Sequence, residues 1–328
     1  MKKQILALLV LFSSCFGEPK MFDFDRVFDF SGGLAKVIKD GKTSFVDKTG
    51  KVIGLFEFDE VWGFKDDLVV VKKDEKYGYA DKSGKVVVPF MYDEVWGFSE
   101  GLAAVSKKGK CGFIDKAGKI IVPLKYDVAE SFSEGLSVVQ KGDRYGFIDK
   151  TGKVVVPLKY DYAFSFTQNL ASVTKDDKHG FIDKSGKIVV PLKYEFAWEF
   201  SDDLAMVKNG GKIGFIDKTG KLVIPFLYEY AWRFSEGMAR VREDGKYGFI
   251  DRSGKLVVPF NYEEAFEFKE GFARVRSGGK YGFIDKTGKV VAPFEFDDVR
   301  DFSEGVAFVK KNGKWMMIDS QFNFITEE

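Results

Sequence analysis

The sequence predicts an all-β protein of nine antiparallel units, each 34 residues long with three to four short strands. The main observation is that one aspartate recurs every 34 residues without insertion or deletion, at positions 47, 81, 115, 149, 183, 217, 251, 285 and 319. The composition agrees, because 35 Phe and 16% aromatic residues favour the pleated surfaces of sheets. A fixed period means that one small unit is copied along the chain, so the fold must be argued per repeat.

Residues 1–17 lie outside the repeat and resemble an export signal. Two lysines precede the apolar run Ile5–Phe12, and small residues follow it. This order is typical of a secretory signal rather than of a membrane span. The run leads to Cys15, which predicts a bacterial lipoprotein signal in which this cysteine carries the lipid. Simple cleavage near Gly17 is the alternative, and an uncleaved or cytosolic chain is the third.

Charge and cysteine content narrow the classes of function. The 51 basic and 50 acidic residues alternate in sign along each repeat, so no basic field is available for phosphate backbones. Nucleic-acid binding is therefore not expected. If Cys15 is removed or lipidated, only Cys111 remains and no internal disulfide can form. An exported chain of this kind relies on buried apolar area, and we expect Cys111 to be part of it.

A short linker at residues 18–23 leads into the repeats, which occupy residues 24–328. Within the repeat that begins at position 92, residues 101–107, 111–115 and 119–122 are predicted as three strands of an antiparallel meander. The segment 92–98 is predicted as a further short strand or a tight corner. The repeats start at positions 24, 58, 92, 126, 160, 194, 228, 262 and 296.

Turn residues set the limits of these strands. Asp115 is expected to accept hydrogen bonds from the backbone N–H groups that follow it, and Gly118 supplies a positive φ. Pro123 is expected to end the third strand, because proline has no N–H to donate to the ladder. The same turn pattern recurs in almost every copy, so an Asp in it is first a structural residue.

Two arrangements of the units are compatible with the sequence. Ser44 and Met316 replace a repeated glycine in the first and last copies, and such degenerate ends are typical of the caps of an open array. Nine blades also exceed the usual range of propellers, and 34 residues is short for a four-stranded blade. We therefore predict an open superhelical array, with a closed β-propeller as the alternative.

The repeated residues resemble the WG-repeat (KWG-repeat) family. The resemblance rests on the segment Lys76–Lys85, the Val-Pro that follows it and the segment Phe98–Ala103, and it covers residues 22–326. Tyr often stands in place of the Trp of the family, which only Trp315 keeps. The resemblance implies an exported or surface-associated bacterial protein and supplies no catalytic residues.

One column of aromatic residues is the candidate binding surface, with one member in most repeats. Spaced rings on one face can stack on sugars or hold an extended peptide, although rings at this period can also be rungs of the core. Glu130 and Arg300 interrupt the column, which favours partial exposure. This aromatic column comprises Phe28 and the six ligand-binding candidates Trp62, Trp96, Phe164, Trp198, Trp232 and Phe266.

A second column, eight residues further on, varies from Lys36 to Phe308, and this variation suggests an accessible face or a drifting surface.

His179 is the only histidine, so neither a metal site nor an acid–base site is predicted, and no cofactor is expected. Acidic pairs such as Glu263-Glu264 and Asp297-Asp298 recur at one phase of the repeat, as expected of a solvated edge.

These observations predict a non-catalytic binding or scaffold protein of the bacterial envelope. We expect its partner to be a protein or a glycan, with membrane contact only through a lipid at Cys15. The alternative is an envelope polysaccharide hydrolase that uses one carboxylate pair, about 5–10 Å apart, in a cleft that no other repeat reproduces. A structural spacer without any ligand is the third.

Overall fold

The computed structural model describes residues 19–326, and their sheets form a nine-bladed β-propeller. Each of the first eight blades is a four-stranded antiparallel sheet with its strands in chain order, and the ninth sheet has three strands. The strands of the first five blades are β1 (Arg26–Ser31), β2 (Leu34–Lys39), β3 (Lys42–Asp47), β4 (Val52–Leu55), β5 (Glu60–Lys65), β6 (Leu68–Lys73), β7 (Lys76–Asp81), β8 (Val86–Tyr92), β9 (Glu94–Val95), β10 (Leu102–Lys107), β11 (Lys110–Asp115), β12 (Ile120–Tyr126), β13 (Val128–Ala129), β14 (Leu136–Lys141), β15 (Arg144–Asp149), β16 (Val154–Tyr160), β17 (Tyr162–Ala163), β18 (Leu170–Lys175), β19 (Lys178–Asp183) and β20 (Ile188–Tyr194).

The last four blades continue the same order. Their strands are β21 (Phe196–Ser201), β22 (Leu204–Asn209), β23 (Lys212–Asp217), β24 (Leu222–Tyr228), β25 (Tyr230–Ser235), β26 (Met238–Glu243), β27 (Lys246–Asp251), β28 (Leu256–Tyr262), β29 (Glu264–Ala265), β30 (Phe272–Ser277), β31 (Lys280–Asp285), β32 (Val290–Phe296), β33 (Asp298–Val299), β34 (Val306–Lys311) and β35 (Lys314–Asp319). The first strands of successive blades contact one another, for example β1 with β5 and β21 with β25. The first strands therefore lie nearest the axis of the ring.

The hairpin turn between the third and fourth strands has the predicted chemistry. The Oδ1 atom of Asp115 accepts hydrogen bonds from the backbone N–H groups of Ala117 and Lys119, at 3.0 and 2.9 Å. Gly118 has a φ of 83° and donates its N–H to the carbonyl of Asp115. The turn therefore closes mainly through its own aspartate, and in most copies a Ser or Thr hydroxyl adds a further bond to the same oxygen.

Apolar side chains are buried between blades. One face of blade three, with Leu102, Ala104 and Phe113, packs against Phe132 and Val139 on the opposite face of blade four. At the same place a serine hydroxyl reaches across to a phenylalanine carbonyl, from Ser99 to Phe132 at 2.7 Å. Each blade thus completes its core on the next one.

The last blade joins the first through the same contacts, so the ring is closed. The hydroxyl of Ser303 donates to the carbonyl of Phe30 at 2.8 Å, and the N–H of Gly33 donates to the carboxylate of Glu304. Phe30 and Phe308 stack in one apolar cluster with a centroid distance of 5.6 Å. The predicted open superhelical array is therefore wrong, and the structure has the closed alternative.

The degenerate end copies are explained by this closure. Phe22 forms a bridge with Trp315 and Pro19 forms one with Thr326, so the expected linker is paired with blade nine from residue 19 onward. The chain also turns back after β35, where Ile318 pairs with Phe324. Blade nine is thus completed from both ends of the described chain, which removes the need for caps.

The repeated glycine of the third strand explains how 34 residues suffice for a blade. A Cβ on Gly112 would lie 2.4 Å from the carbonyl oxygen of Val122, so the fourth strand passes directly over this Cα atom. Only residue 127 separates β12 from β13, the first strand of the next blade. Crossing over the glycine brings the chain to the next blade without a long loop.

The prediction that Pro123 ends its strand is wrong. Strand β12 runs from Ile120 to Tyr126 and contains the proline, and the register shifts on either side of the Phe113–Val122 pair. Because ladder pairing is interrupted there, the missing N–H of the proline costs no hydrogen bond. The segment predicted as a strand or corner is the short first strand β9, with two residues.

We expect Gly112→Ala to destabilise the protein by about 3 kcal/mol, because the added methyl group collides with backbone rather than with a movable side chain. The measurement is the free energy of unfolding in urea. Ser44→Ala at the same place in blade one is the matched control and should change stability little. Equal losses in the two variants would contradict the crossing-over explanation.

We expect Phe22→Ala to cost about 3–5 kcal/mol, because this ring is buried in the cluster that joins blades nine and one. The neighbouring Met21, which is 64% exposed, provides the control substitution Met21→Ala. Thermal unfolding of the two variants decides the point. If Phe22→Ala melts like the control, the N-terminal segment does not hold the ring closed.

Candidate functional site

The aromatic column lies where the first strand of each blade is irregular. In blade one, Val27 pairs with Val37 and Phe30 with Ala35, so Phe28 and Asp29 share the place opposite Lys36. This is a β-bulge, which turns side chains out of the regular alternation. Blades two, six and seven have the same bulge, and in the other blades the column residue directly follows a two-residue first strand.

All six predicted ligand-binding residues are accessible to some degree. Trp62 is 40% exposed, while Trp96, Phe164, Trp198, Trp232 and Phe266 are half-buried. Trp96 and Trp198 also pack against the apolar seams of their blades. The column is therefore neither free surface nor buried core, and its rings are held by the seam with part of each ring open to solvent.

The second column is mostly buried, so its interpretation as an accessible face is wrong. Its members fill the seam behind the aromatic column, and their size follows the local packing. Val70, Ala104, Val138, Ser172, Met206 and Phe308 are all buried, and Lys36, Arg240 and Arg274 are half-buried.

Three members of this second column are cations that cover a ring of the aromatic column. The guanidinium of Arg240 lies 3.7 Å from the ring centroid of Trp232, and that of Arg274 lies 3.6 Å from that of Phe266. Arg274 also donates to the carbonyl of Val299 in the next blade at 3.0 Å. These arginines fix their rings and occupy the space in front of them.

In blade one the corresponding cation is Lys36. Its ammonium group lies 5.1 Å from the centroid of Phe28 and donates to the carbonyl of Val61. Burial lowers the pKa of this lysine. A cavity of about 260 Å³ opens beside it, between Phe28 and Trp62 of the aromatic column. This volume is slightly below the range of small-molecule sites, which begins at about 300 Å³.

Blades four to six differ, because their rings form a continuous row over which no cation of residues 19–326 lies. Centroids are 5.0 Å apart for Tyr145 and Tyr162, 5.1 Å for Tyr162 and Phe164, and 6.1 Å for Phe164 and Phe196. Trp198 extends the row, with its centroid 4.3 Å from that of Phe196. We call these five residues the ring row.

Two carboxylates accompany the ring row. Glu130 accepts a hydrogen bond from Ser165 at 3.1 Å. Burial raises the pKa of Glu130, and the charge of Glu199 raises it further against the opposing effect of Ser165. Burial also raises the pKa of Glu199, partly offset by Arg233. Within the described chain neither carboxylate forms an ion pair, and Arg233 is bonded to Glu267 instead.

Part of this arrangement was visible in the sequence. Glu130 was noted as a break in the column, whereas Glu199, Tyr162 and Phe196 were missed. Neighbouring blades bring them together. Tyr162 and Phe196 are one 34-residue period apart, but most other copies have no ring at this position, so the repeat did not single them out. Glu199 occupies a bulge position that varies between repeats.

The acidic pairs considered for a hydrolase have structural partners. Glu263 accepts from the N–H groups of Gly278 and Gly279, and Glu264 accepts from the hydroxyl of Tyr281 at 2.7 Å. Asp297 binds the N–H of Gly313 in the same way. Glu263 and Asp297 close the hairpin between the second and third strands and Glu264 binds a strand side chain, so these acids are more than a solvated edge.

Other candidate residues are accounted for within the fold. Cys111 is buried, and burial raises the pKa of its thiol. The ring of His179 is buried beside Phe196, its Nδ1 atom lies 3.0 Å from the hydroxyl of Thr174, and burial lowers its pKa. Residues 19–326 contain no cluster of ligands suited to a metal ion and no helix that could cross a membrane. Cys15 and the predicted signal lie outside the described residues.

Comparisons with known proteins agree with the repeat architecture. The model of the WG-containing repeat family matches nine segments, at residues 22–42, 44–77, 77–111, 112–145, 145–178, 180–212, 213–247, 247–281 and 281–315. No curated protein matches the chain significantly.

Among solved structures, a eukaryotic initiation factor is 10% identical with a TM-score of 0.59, and the match covers 86% of this chain and 92% of that one. BamB from Moraxella catarrhalis is 11% identical with a TM-score of 0.44, covering 79% and 95%. At this identity, only the fold of the first is informative.

Proposed function

The chain belongs to the family of proteins built from WG-containing repeats, and from that premise we propose that it is a non-catalytic binding protein of the bacterial envelope. It engages an extended protein or glycan through the aromatic column at the inner ends of the seams. The single observation that supports this most is that every predicted aromatic residue of the column is at most half-buried.

The arrangement of the column suits an extended partner. Seven of the nine blades carry one of its rings, so a polymer that follows the circle of blades can contact several of them in succession. A face of Trp or Phe stacks on a sugar or on a peptide side chain at modest energy, about 0.5–1.5 kcal/mol for a pair of rings. Several such contacts on one polymer add up through effective concentration.

We expect the combined change of Trp62, Trp96, Trp198 and Trp232 to Leu to abolish retention on immobilised envelope material, because Leu keeps apolar volume but removes the stacking surface. The matched control changes the same four residues to Phe, which keeps a ring. Circular dichroism checks that both variants fold. Undiminished retention of the Leu variant would refute the proposal, as would chemical turnover of the bound polymer by the purified protein.

Location at the envelope is proposed from the order of residues at the N-terminus, with lipidation at Cys15. We expect wild-type protein expressed in bacteria to incorporate radiolabelled palmitate and to sediment with membranes. Cys15→Ser should lose the label and leave the membrane fraction, and Cys111→Ser is the control that should keep both. Wild-type protein in the cytosolic fraction with an intact N-terminus would exclude export.

A further inference from the structure

The most distinctive group of side chains is the ring row with Glu130 and Glu199, in blades four to six. We propose that this group is a subsite for a guanidinium cation, the arginine side chain of an extended peptide segment of a partner protein. The inference rests on the proposed binding function and specifies one of its partner classes.

The chain itself provides the first argument. In blades seven and eight, an arginine of the second column occupies the space in front of a column ring, at 3.7 Å from Trp232 and 3.6 Å from Phe266. In blades five and six the corresponding residues are Ser172 and Met206, which carry no charge. Phe164 and Trp198 therefore present ring faces without the cation that covers their counterparts.

Charge provides the second argument. Aromatic faces attract cations, and most strongly where water is excluded. Glu130 and Glu199 add two carboxylates at the same place, and both are half-buried without an ion pair in the described chain. Burial raises the pKa of the Tyr162 hydroxyl, and the charges of both acids raise it further. Desolvated, unpaired carboxylates are costly, and a bound cation offsets that cost.

Hydrogen bonding favours guanidinium over other cations. Arg274 donates a hydrogen bond from its guanidinium to the carbonyl of Val299 and forms an ion pair with Asp301 while it stacks on Phe266. A planar guanidinium can stack on a ring while its N–H groups face acceptors at its edge, whereas a tetrahedral ammonium cannot stack in this way. The ring row and its two acids offer the same combination to a ligand from outside.

The amide-capped peptide Gly-Arg-Gly-Arg-Gly is the probe, and its binding to the full chain is followed by the fluorescence of the tryptophans and by calorimetry. The same peptide with citrulline in place of arginine is the matched ligand, because it keeps the shape and loses the charge. We expect the arginine peptide to bind at least about tenfold more tightly, in a salt-dependent manner.

Three variants locate the site. Glu130→Gln and Glu199→Gln should each weaken binding of the arginine peptide by about tenfold. Glu130→Gln should at the same time raise the melting temperature, since it removes an unpaired charge from a desolvated place. Ser172→Arg should place an internal guanidinium over Phe164 and compete with the peptide. Glu94→Gln, an exposed acid at the first strand of blade three, is the control and should bind normally.

Equal binding of the arginine and citrulline peptides would overturn the inference, and so would unchanged binding by both Gln variants. Preference for glucosamine oligomers over the arginine peptide would likewise overturn it in favour of an amino-glycan. These outcomes leave the proposed function intact if the Leu variant of the four tryptophans still loses envelope binding. If the Leu variant keeps envelope binding, the proposed function fails whatever the peptides do.

Discussion

Burial of apolar side chains between adjacent blades is the constraint on which the structure depends. Each blade exposes one face that only the next blade can cover, as blade three does with Phe113 against Phe132 of blade four. The hydrogen bond from a serine hydroxyl to a phenylalanine carbonyl fixes the distance across this seam. Because the same contacts join blade nine to blade one, no face is left over, and the stability of the ring is shared among its seams.

The period and the turn residues were sufficient to predict strands and hairpins, because both depend on neighbours within one repeat. Closure was not predictable in this way. Ser44 and Met316 depart from the repeat in a manner expected of open caps, and equally of two copies that complete each other. The deciding contact, between Phe22 and Trp315, joins residues that no local pattern relates. Pro123 was misjudged because a crossing strand needs no N–H at that place.

The candidate site, too, could be predicted only where it follows the repeat. The aromatic column follows the period and could be identified from it, and the interruption at Glu130 was visible. The second column was judged by its variability, which reflects the filling of a seam by Lys, Val, Ser or Arg rather than exposure. The group around Tyr162 depends on the meeting of three blades, where each residue is ordinary in its own repeat. The repeated residues thus form the propeller, and residues that depart from the repeat distinguish blades four to six from the other blades.

The pairing of residue 22 with residue 315 has a consequence for biosynthesis. A ribosome releases the first blade long before the segment that must meet it has been made, and the contact spans nearly the whole chain. Until then the apolar side of blade one is uncovered and can aggregate with other chains. Translation can therefore lay down the blades one after another, but the last blade can dock on the first only after it has been synthesised, and nascent chains need protection from aggregation until then.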